Sequence, residues 1–311
     1  MNMAEPFLFN DTALRGRLTF AAPMAQHISW RAGGSADRAY APADLADLQA
    51  FLQALPDGAP VLFVGLGSNL LVRDGGYRGT VILLHDTHGA IREEEGGLIE
   101  AQAGVASPKL ARFAARHGYE GAEFLAGVPG TVGGALAMNA GCYGAETWER
   151  VHDVLTIDRR GTLHRRAPAE FSTGYRHVVL HAAELGTDEW FVAGRFRFTR
   201  GDGERSRARI RELLEKRVAT QPLNLPNAGS VFRNPPGDHA ARLVEAAGLK
   251  GYAIGGARIS EKHANFIVNP KGAGSAADIE ALIAHARATV LARFGVALVP
   301  EVRIVGEAAQ P

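Results

Sequence analysis

The chain is short of cysteine, of net charge and of long apolar runs. Cys142 is the single cysteine in 311 residues, which excludes an internal disulfide framework and fits a reducing compartment. Inside a glycine run it reads as a small buried hydrophobe sooner than as a reactive thiol. Lys plus Arg number 34 against 33 Asp plus Glu, so no global field draws the protein to nucleic acid or to a membrane surface. Recognition must be local. No apolar run approaches the length of a membrane span. The opening MNMAEPFLFNDTALRGR has no basic start followed by an apolar core, so no signal peptide is expected and the protein reads as cytoplasmic. What is present is ordinary for a globular protein, 46% hydrophobic and 22% charged, with length for two or three domains and a large core.

The stretch Gly121 to Gly144, GAEFLAGVPGTVGGALAMNAGCYG, holds seven glycines and no charge after Glu123. Glycine loses the most conformational entropy on folding, so such a run points to a steric need. One need is close backbone approach to something flat or anionic, with amides exposed. Val128-Pro129-Gly130-Thr131 would turn its N–H groups to a phosphate, Gly133-Gly134 would open a short helix, and Met138 to Gly141 would form a second approach. The alternative is a packing turn between two domains.

Along the chain, residues 27–37, HISWRAGGSAD, read as a short strand entering a Gly33-Gly34 turn. Leu45, Leu48, Leu52 and Leu55 have helical spacing, stopped by Pro56. Val61 to Val64 reads as a buried strand running into GLGSN, residues 65–69. A dinucleotide fingerprint fails there, because Leu70 stands where the third glycine is required and a strand follows instead of a helix. A hairpin turn is the default reading, with a pyrophosphate cradle as the alternative. Ser107 would cap a helix with Pro108 at its first position and Gly118 at its end. Strands are expected at 154–157, 162–164, 190–198 and 265–269, with the 190–198 strand buried on one face. Ser172 to Arg176 falls in loop-like surroundings. Glu204 to Val218 is an amphipathic helix with Ile210, Leu213 and Leu214 inward. Asp238 would cap a helix ending at Gly248, and Ser275 to Asp278 a capping box for the last helix, stopped at Gly295. Ala297 to Val305 closes the chain as a strand interrupted by Pro300.

Arg176, Ser230 and Glu301 stand beside apolar or turn residues where a solvated side chain is not required. Each alone has a structural explanation: a stacking pair with Tyr175, a turn serine, an edge glutamate paired with Arg303. Together they would supply an anion clamp, a proton donor and a carboxylate.

Six separated motifs, GLGSNLLV, LAGVPGTVGGALAMNAGCYG, Gly174-Tyr175-Arg176, NAGSVFRNP, IGGARISEKHANFIVN and PEVRIVGE, give roughly residues 20–306 an order that resembles the UDP-N-acetylenolpyruvoylglucosamine reductase (MurB) family. The resemblance implies an α+β fold: a two-subdomain FAD-binding fold of the vanillyl-alcohol-oxidase (PCMH) type plus a C-terminal substrate domain. The expected divisions are 20–85, 86–200 and 201–306. It implies noncovalent FAD, NADPH as reductant and a UDP-sugar enolpyruvate reduced for peptidoglycan synthesis; a monomer is expected, and no residue is assigned to a metal. Arg176 would bind the enolpyruvyl carboxylate, Ser230 protonate the substrate carbon, and Glu301 assist. Cofactor contacts would come from Gly65, Gly67, Ser68, Asn69, Gly127, Val128, Gly130, Thr131, Gly134, Asn139 and Ala140. Substrate contacts would come from Tyr175, Asn234, Lys262 and His263. The chain resembles the family's shorter form, without an inserted tyrosine loop, and His27 to Trp30 departs from the expected early pattern. Competing functions are a flavin oxidase, which often carries a flavin-linked histidine beside the first glycine turn that GLGSN lacks, and a noncatalytic nucleotide-sugar sensor.

Overall fold

The computed structural model describes residues 14–85 and 89–310; residues 1–13, where the missing leader pattern was read, lie outside them. Three packed groups of apolar side chains organise the chain. One sheet has the order 17–23, 35–41, 77–83, 61–64, its first pair antiparallel and the others parallel. Helix α1, Leu45–Ala54, packs Leu48, Phe51 and Leu52 beside it, with the Asp44 carboxylate accepting the Asp47 N–H. The expected strand at 27–37 is corrected: the extended segment is Ser35–Ala41, after the glycines, and residues 27–34 form turns. Trp30 is the reason. Its fully buried ring donates Nε1–H to the Ile267 carbonyl at 2.7 Å, and the Trp30 carbonyl accepts from Asn269, so this segment serves long-range packing instead of a ladder. Truncating such a buried indole costs about 3–5 kcal/mol.

The hairpin reading of GLGSN is also corrected. Val61–Val64 pairs with 77–83, whereas Leu70–Val72 pairs in parallel with Arg303–Val305 near the C-terminus. The two flanking strands therefore belong to different sheets, and the loop joins them. Residues 22–83 and 228–302 share one hydrophobic core through this junction.

The second sheet is antiparallel, in the order 163–166, 151–158, 189–197, 98–102, 91–93. Its 151–158/163–166 hairpin is the expected one. Glu189–Arg197 is a central strand whose residues 189–194 are all buried, so the one-faced expectation is corrected. Helix α2, Ser107–Arg116, starts one residue earlier than expected: Ala106 is its cap residue, drawn into an extended bridge with Thr131. Ser107 is then inside the helix, its Oγ buried without a partner among the described residues. Helix α3 spans Val132–Met138, capped by Thr131. Helix α4, Gly203–Thr220, capped by Asp202, turns Ile210 and Leu213 inward, and Ile210 enters the core of the second sheet.

Helix α5, Ala240–Ala246, begins after His239. Asp238 accepts the His239 N–H and pairs with Arg242, while Asn234 Oδ1 takes the Ala240 N–H at 3.1 Å. The cap expected of Asp238 is thus supplied by Asn234. Helix α6, Ala276–Phe294, has the capping box, Ser275 and Asp278 bonded reciprocally, and stops at Gly295 with φ +69°.

Candidate active site

Between the two sheets and the C-terminal segment lies a cavity of about 310 Å³. Loop 65–69 forms one wall, and loop 128–131 with the start of α3 forms another. Their glycines explain how the loops meet. A Cβ on Gly65 would strike the Thr131 side chain, one on Gly130 would strike Ser68 Oγ, and one on Gly67, at φ +60°, would strike the His27 carbonyl. Ser29 fixes the same turn, its N–H and Oγ both donating to the Gly67 carbonyl. These glycines bring protein to protein. Gly134, which also lines the cavity, differs: a Cβ there would meet only Thr131 Oγ1, at 3.9 Å. Within the run, Gly127, Gly130, Gly133 and Gly141 are each closely packed against protein, so its steric need is mostly internal packing.

The backbone N–H groups of Leu66, Gly67, Ser68, Gly130 and Thr131 have no acceptor among the described residues, although these residues line the cavity. Unpaired amides converging on a hollow form a site for anionic oxygen. Phe63 and Trp190, one from each sheet, stack with ring centroids 4.7 Å apart and add a flat apolar wall.

Arg176, Ser230 and Glu301 all line this cavity. The loop expected around Arg176 is a hairpin of strands Phe171–Gly174 and His177–Leu180, turned by Tyr175 and by Arg176 at φ +54°. Its Nε donates to Glu301 Oε1 at 2.8 Å, Nη2 to the Gly141 carbonyl at 3.0 Å and Nη1 to the Asn139 carbonyl at 3.3 Å. Glu301 thus pairs with Arg176 and not with Arg303. The Glu301 N–H donates to the carbonyl of Val231, the residue after Ser230, which ties the serine and glutamate backbones side by side.

Burial pushes the Glu301 carboxyl above the usual 4.5, against the pull of the Arg176 guanidinium. A raised folded-state value means that ionisation of Glu301 opposes folding. The cost is absent below the free carboxyl's pKa and fully present once pH has passed the folded one. The Glu301→Gln variant has no such dependence. The difference in Tm, variant minus parent, is expected to increase as pH rises from the free value into the neutral range; parallel Tm curves would remove Glu301 as the titrating group.

Of the expected cofactor contacts, Gly65, Gly67, Ser68, Asn69, Val128, Gly130, Thr131, Gly134 and Ala140 are on the cavity wall, and Gly127 and Asn139 are not. Gly127 packs against Cys142 and Tyr143. Asn139 is buried, and its carboxamide bonds only protein groups. The Cys142 thiol, donating to the Phe124 carbonyl at 3.0 Å, is pushed up to about 11 by burial.

The expected substrate contacts stand off the wall. Tyr175 is exposed, its ring over the guanidinium of Arg176 at 5.1 Å. Asn234 caps α5, and Lys262 Nζ donates to the Val218 carbonyl. His263 Nδ1 accepts the Asn265 N–H, and burial lowers its pKa.

Sequence reasoning missed Arg303, Leu185 and Gly186, which also line the cavity. The i, i+2 spacing of Glu301 and Arg303 was the available signal for the first. Leu185 and Gly186 carry none, since they are tied to Glu189 by backbone, the Gly186 N–H donating to its carbonyl at 2.9 Å.

A family model described as UDP-N-acetylenolpyruvoylglucosamine reductase, C-terminal domain, matches residues 221–305, and one described as FAD binding domain matches residues 36–166. The UDP-N-acetylenolpyruvoylglucosamine reductase of Thiobacillus denitrificans is 59% identical to this chain over 98% of each. That of Nitrosospira multiformis is 55% identical over 100% of this chain and 95% of its own. The solved structure of UDP-N-acetylenolpyruvylglucosamine reductase (MurB) from Thermus caldophilus superposes with a TM-score of 0.77 at 30% identity, covering 94% of this chain and 99% of that one.

Proposed function

The chain belongs to the UDP-N-acetylenolpyruvoylglucosamine reductase family, and from that premise we infer that it is the FAD-containing oxidoreductase that uses NADPH to reduce UDP-N-acetylglucosamine enolpyruvate to UDP-N-acetylmuramate, a peptidoglycan precursor. One observation carries the reading at the level of the site: a guanidinium, a hydroxyl and a carboxylate from three distant segments meet in a cavity rimmed by unpaired amides.

The residues present fit FAD. The amides of Leu66 to Ser68 and of Gly130 and Thr131 are suited to its pyrophosphate, Gly134 leaves room at the wall, and the Phe63–Trp190 stack offers an apolar face. When bound, FAD would supply the chemistry of hydride transfer, with NADPH as the source and the methylene carbon of the enolpyruvyl ether as the acceptor. Hydride addition there leaves an enolate-like charge on the adjoining carbon and carboxylate. Arg176, already fixed by three acceptors, stabilises that charge. Ser230 delivers the proton to the charged carbon. A serine hydroxyl is a weak acid, so the step depends on the basicity of that carbon and on placement. Glu301 orients Arg176 and stands ready to restore the serine proton.

The domain division at 20–85, 86–200 and 201–306 is part of the proposal, with α4 seated on the second core. Tyr175, exposed beside Arg176, is assigned to the substrate portion outside the cavity. Asn234, Lys262 and His263 are assigned to supporting its rim, since each side chain already bonds backbone. Among the described residues no helix is long and apolar enough to cross a membrane. A cytoplasmic location is proposed on the single cysteine, and a monomer is part of the same proposal.

Purified protein is expected to be yellow and to release FAD on denaturation. NADPH should bleach it, and the enolpyruvyl substrate should restore the colour. Colour returning with oxygen but not with that substrate would favour the oxidase, and colourless protein that binds nucleotide sugar would favour the sensor.

A further inference from the structure

Asn139 caps α3 in the left-handed region, φ 42° and ψ 50°, and is 2% exposed. Its Nδ2 donates to Glu146 at 2.7 Å and to the Gly174 carbonyl at 3.1 Å, and its Oδ1 accepts the Trp148 N–H at 3.1 Å. Both amide hydrogens are therefore committed to protein, and the oxygen is buried against the Trp148 N–H. The groups it grips matter. Gly174 is the last strand residue before the turn that carries Arg176. The Asn139 carbonyl itself accepts Arg176 Nη1, and Gly141, two residues on, accepts Nη2. One side chain thus joins the base of the arginine hairpin to the turn that supplies two of the guanidinium's three acceptors.

We propose that Asn139, braced by Glu146, is the positioning residue for Arg176, fixing the guanidinium for the enolate-forming half-reaction without touching cofactor or substrate. This rests on the reading of Arg176 given above. The arginine needs such a brace because its own backbone is left-handed, a conformation that costs a non-glycine residue on the order of 1 kcal/mol and persists only where surroundings impose it. Glu146 keeps the Asn139 amide turned so that nitrogen faces both Glu146 and Gly174. Reversing the amide would set its oxygen against a carboxylate and a carbonyl.

The test measures the two half-reactions separately, with substrate affinity of the oxidised enzyme read from the perturbation of its visible spectrum. Asn139→Gly keeps the left-handed turn and removes the brace. It is expected to leave bleaching by NADPH within about twofold and to slow the return of colour about 100-fold, the cost of a roughly 1 Å misplacement. Substrate binding should weaken in parallel. In an Arg176→Ala background the same substitution should add less than about twofold, because coupled residues are not additive. An additive loss, or equal slowing of both half-reactions, overturns the proposal and leaves the reading of Arg176 intact. If Arg176→Ala itself leaves the return of colour unchanged, that reading fails first. Should Asn139→Gly yield no folded flavoprotein, Asn139→Asp decides. It sets like charges together, and adding Glu146→Gln should recover at least about tenfold of the lost rate by reversing the donor and acceptor; no recovery overturns the brace.

Discussion

Ser230→Ala is expected to leave bleaching by NADPH unchanged and to slow the return of colour with the enolpyruvyl substrate by about 10⁴-fold or more. General acids usually contribute about 10²–10⁴-fold. The upper end or beyond is expected here because Glu301, held to Arg176 at 2.8 Å, is committed to the guanidinium and is not placed as the serine hydroxyl is. The backbone around residue 230 is fixed on both sides. Asn227 Oδ1 accepts the Gly229 N–H at 2.9 Å, and Asn265 takes the N–H of Val231 through its carbonyl and that of Phe232 through Oδ1, both at 2.9 Å. Alanine therefore keeps the wall in place and deletes only the oxygen. A replacement proton must come from water entering a cavity walled by Gly134, Ala228 and Gly229, and such a water is neither aligned nor held. Because the serine takes no part in hydride transfer from NADPH, the two rates separate. Equal slowing of both half-reactions would remove Ser230 as the proton donor. Ser230→Cys, which restores a proton at nearly the same place, should recover part of the loss.

The parts of this site that were legible in the sequence are those encoded locally. The glycine loops, the α6 capping box and the α4 stripe follow from residue type and spacing within a few residues. What was not legible depends on partners far along the chain. The strand Leu70–Val72 looked like half of a hairpin because its sequence cannot state that its partner is Arg303–Val305. That pairing sets loop 65–69 beside Glu301, with Asn69 Nδ2 donating to the Glu301 carbonyl at 3.1 Å, so the site exists through a contact no local rule predicts. At Asn139 the resemblance pointed to a cofactor contact, and the side chain is buried with three protein partners that only the fold brings to it. Ser107 shows the same limit, since a cap one residue upstream was imposed by the bridge from Ala106 to Thr131.

Arg176→Ala is expected to slow the return of colour about 10³-fold, at the upper end of what one charge-stabilising donor contributes, and to weaken binding of the enolpyruvyl substrate. Lysine should rescue little. The guanidinium reaches Glu301, Gly141 and Asn139 through three different nitrogens, and a single ammonium cannot reproduce that fork. The alanine variant also strands Glu301, whose side chain is only 14% exposed. Losing one member of a buried pair costs about 3–5 kcal/mol when the other stays charged. Here the carboxyl has an escape, because its pKa is already raised by burial and rises further without the guanidinium. The stability loss should therefore be small at acidic pH, where Glu301 takes up a proton, and grow as pH climbs through the raised pKa. Stability and catalysis then come apart in the double variant. Adding Glu301→Gln to Arg176→Ala should restore most of the lost Tm at neutral pH, because no buried charge remains, and should restore none of the rate, because the cation is still missing. Recovery of both would mean that Arg176 acts only as a counter-ion for Glu301. A loss of rate under about tenfold in the single variant would take the charge-stabilising role from it altogether.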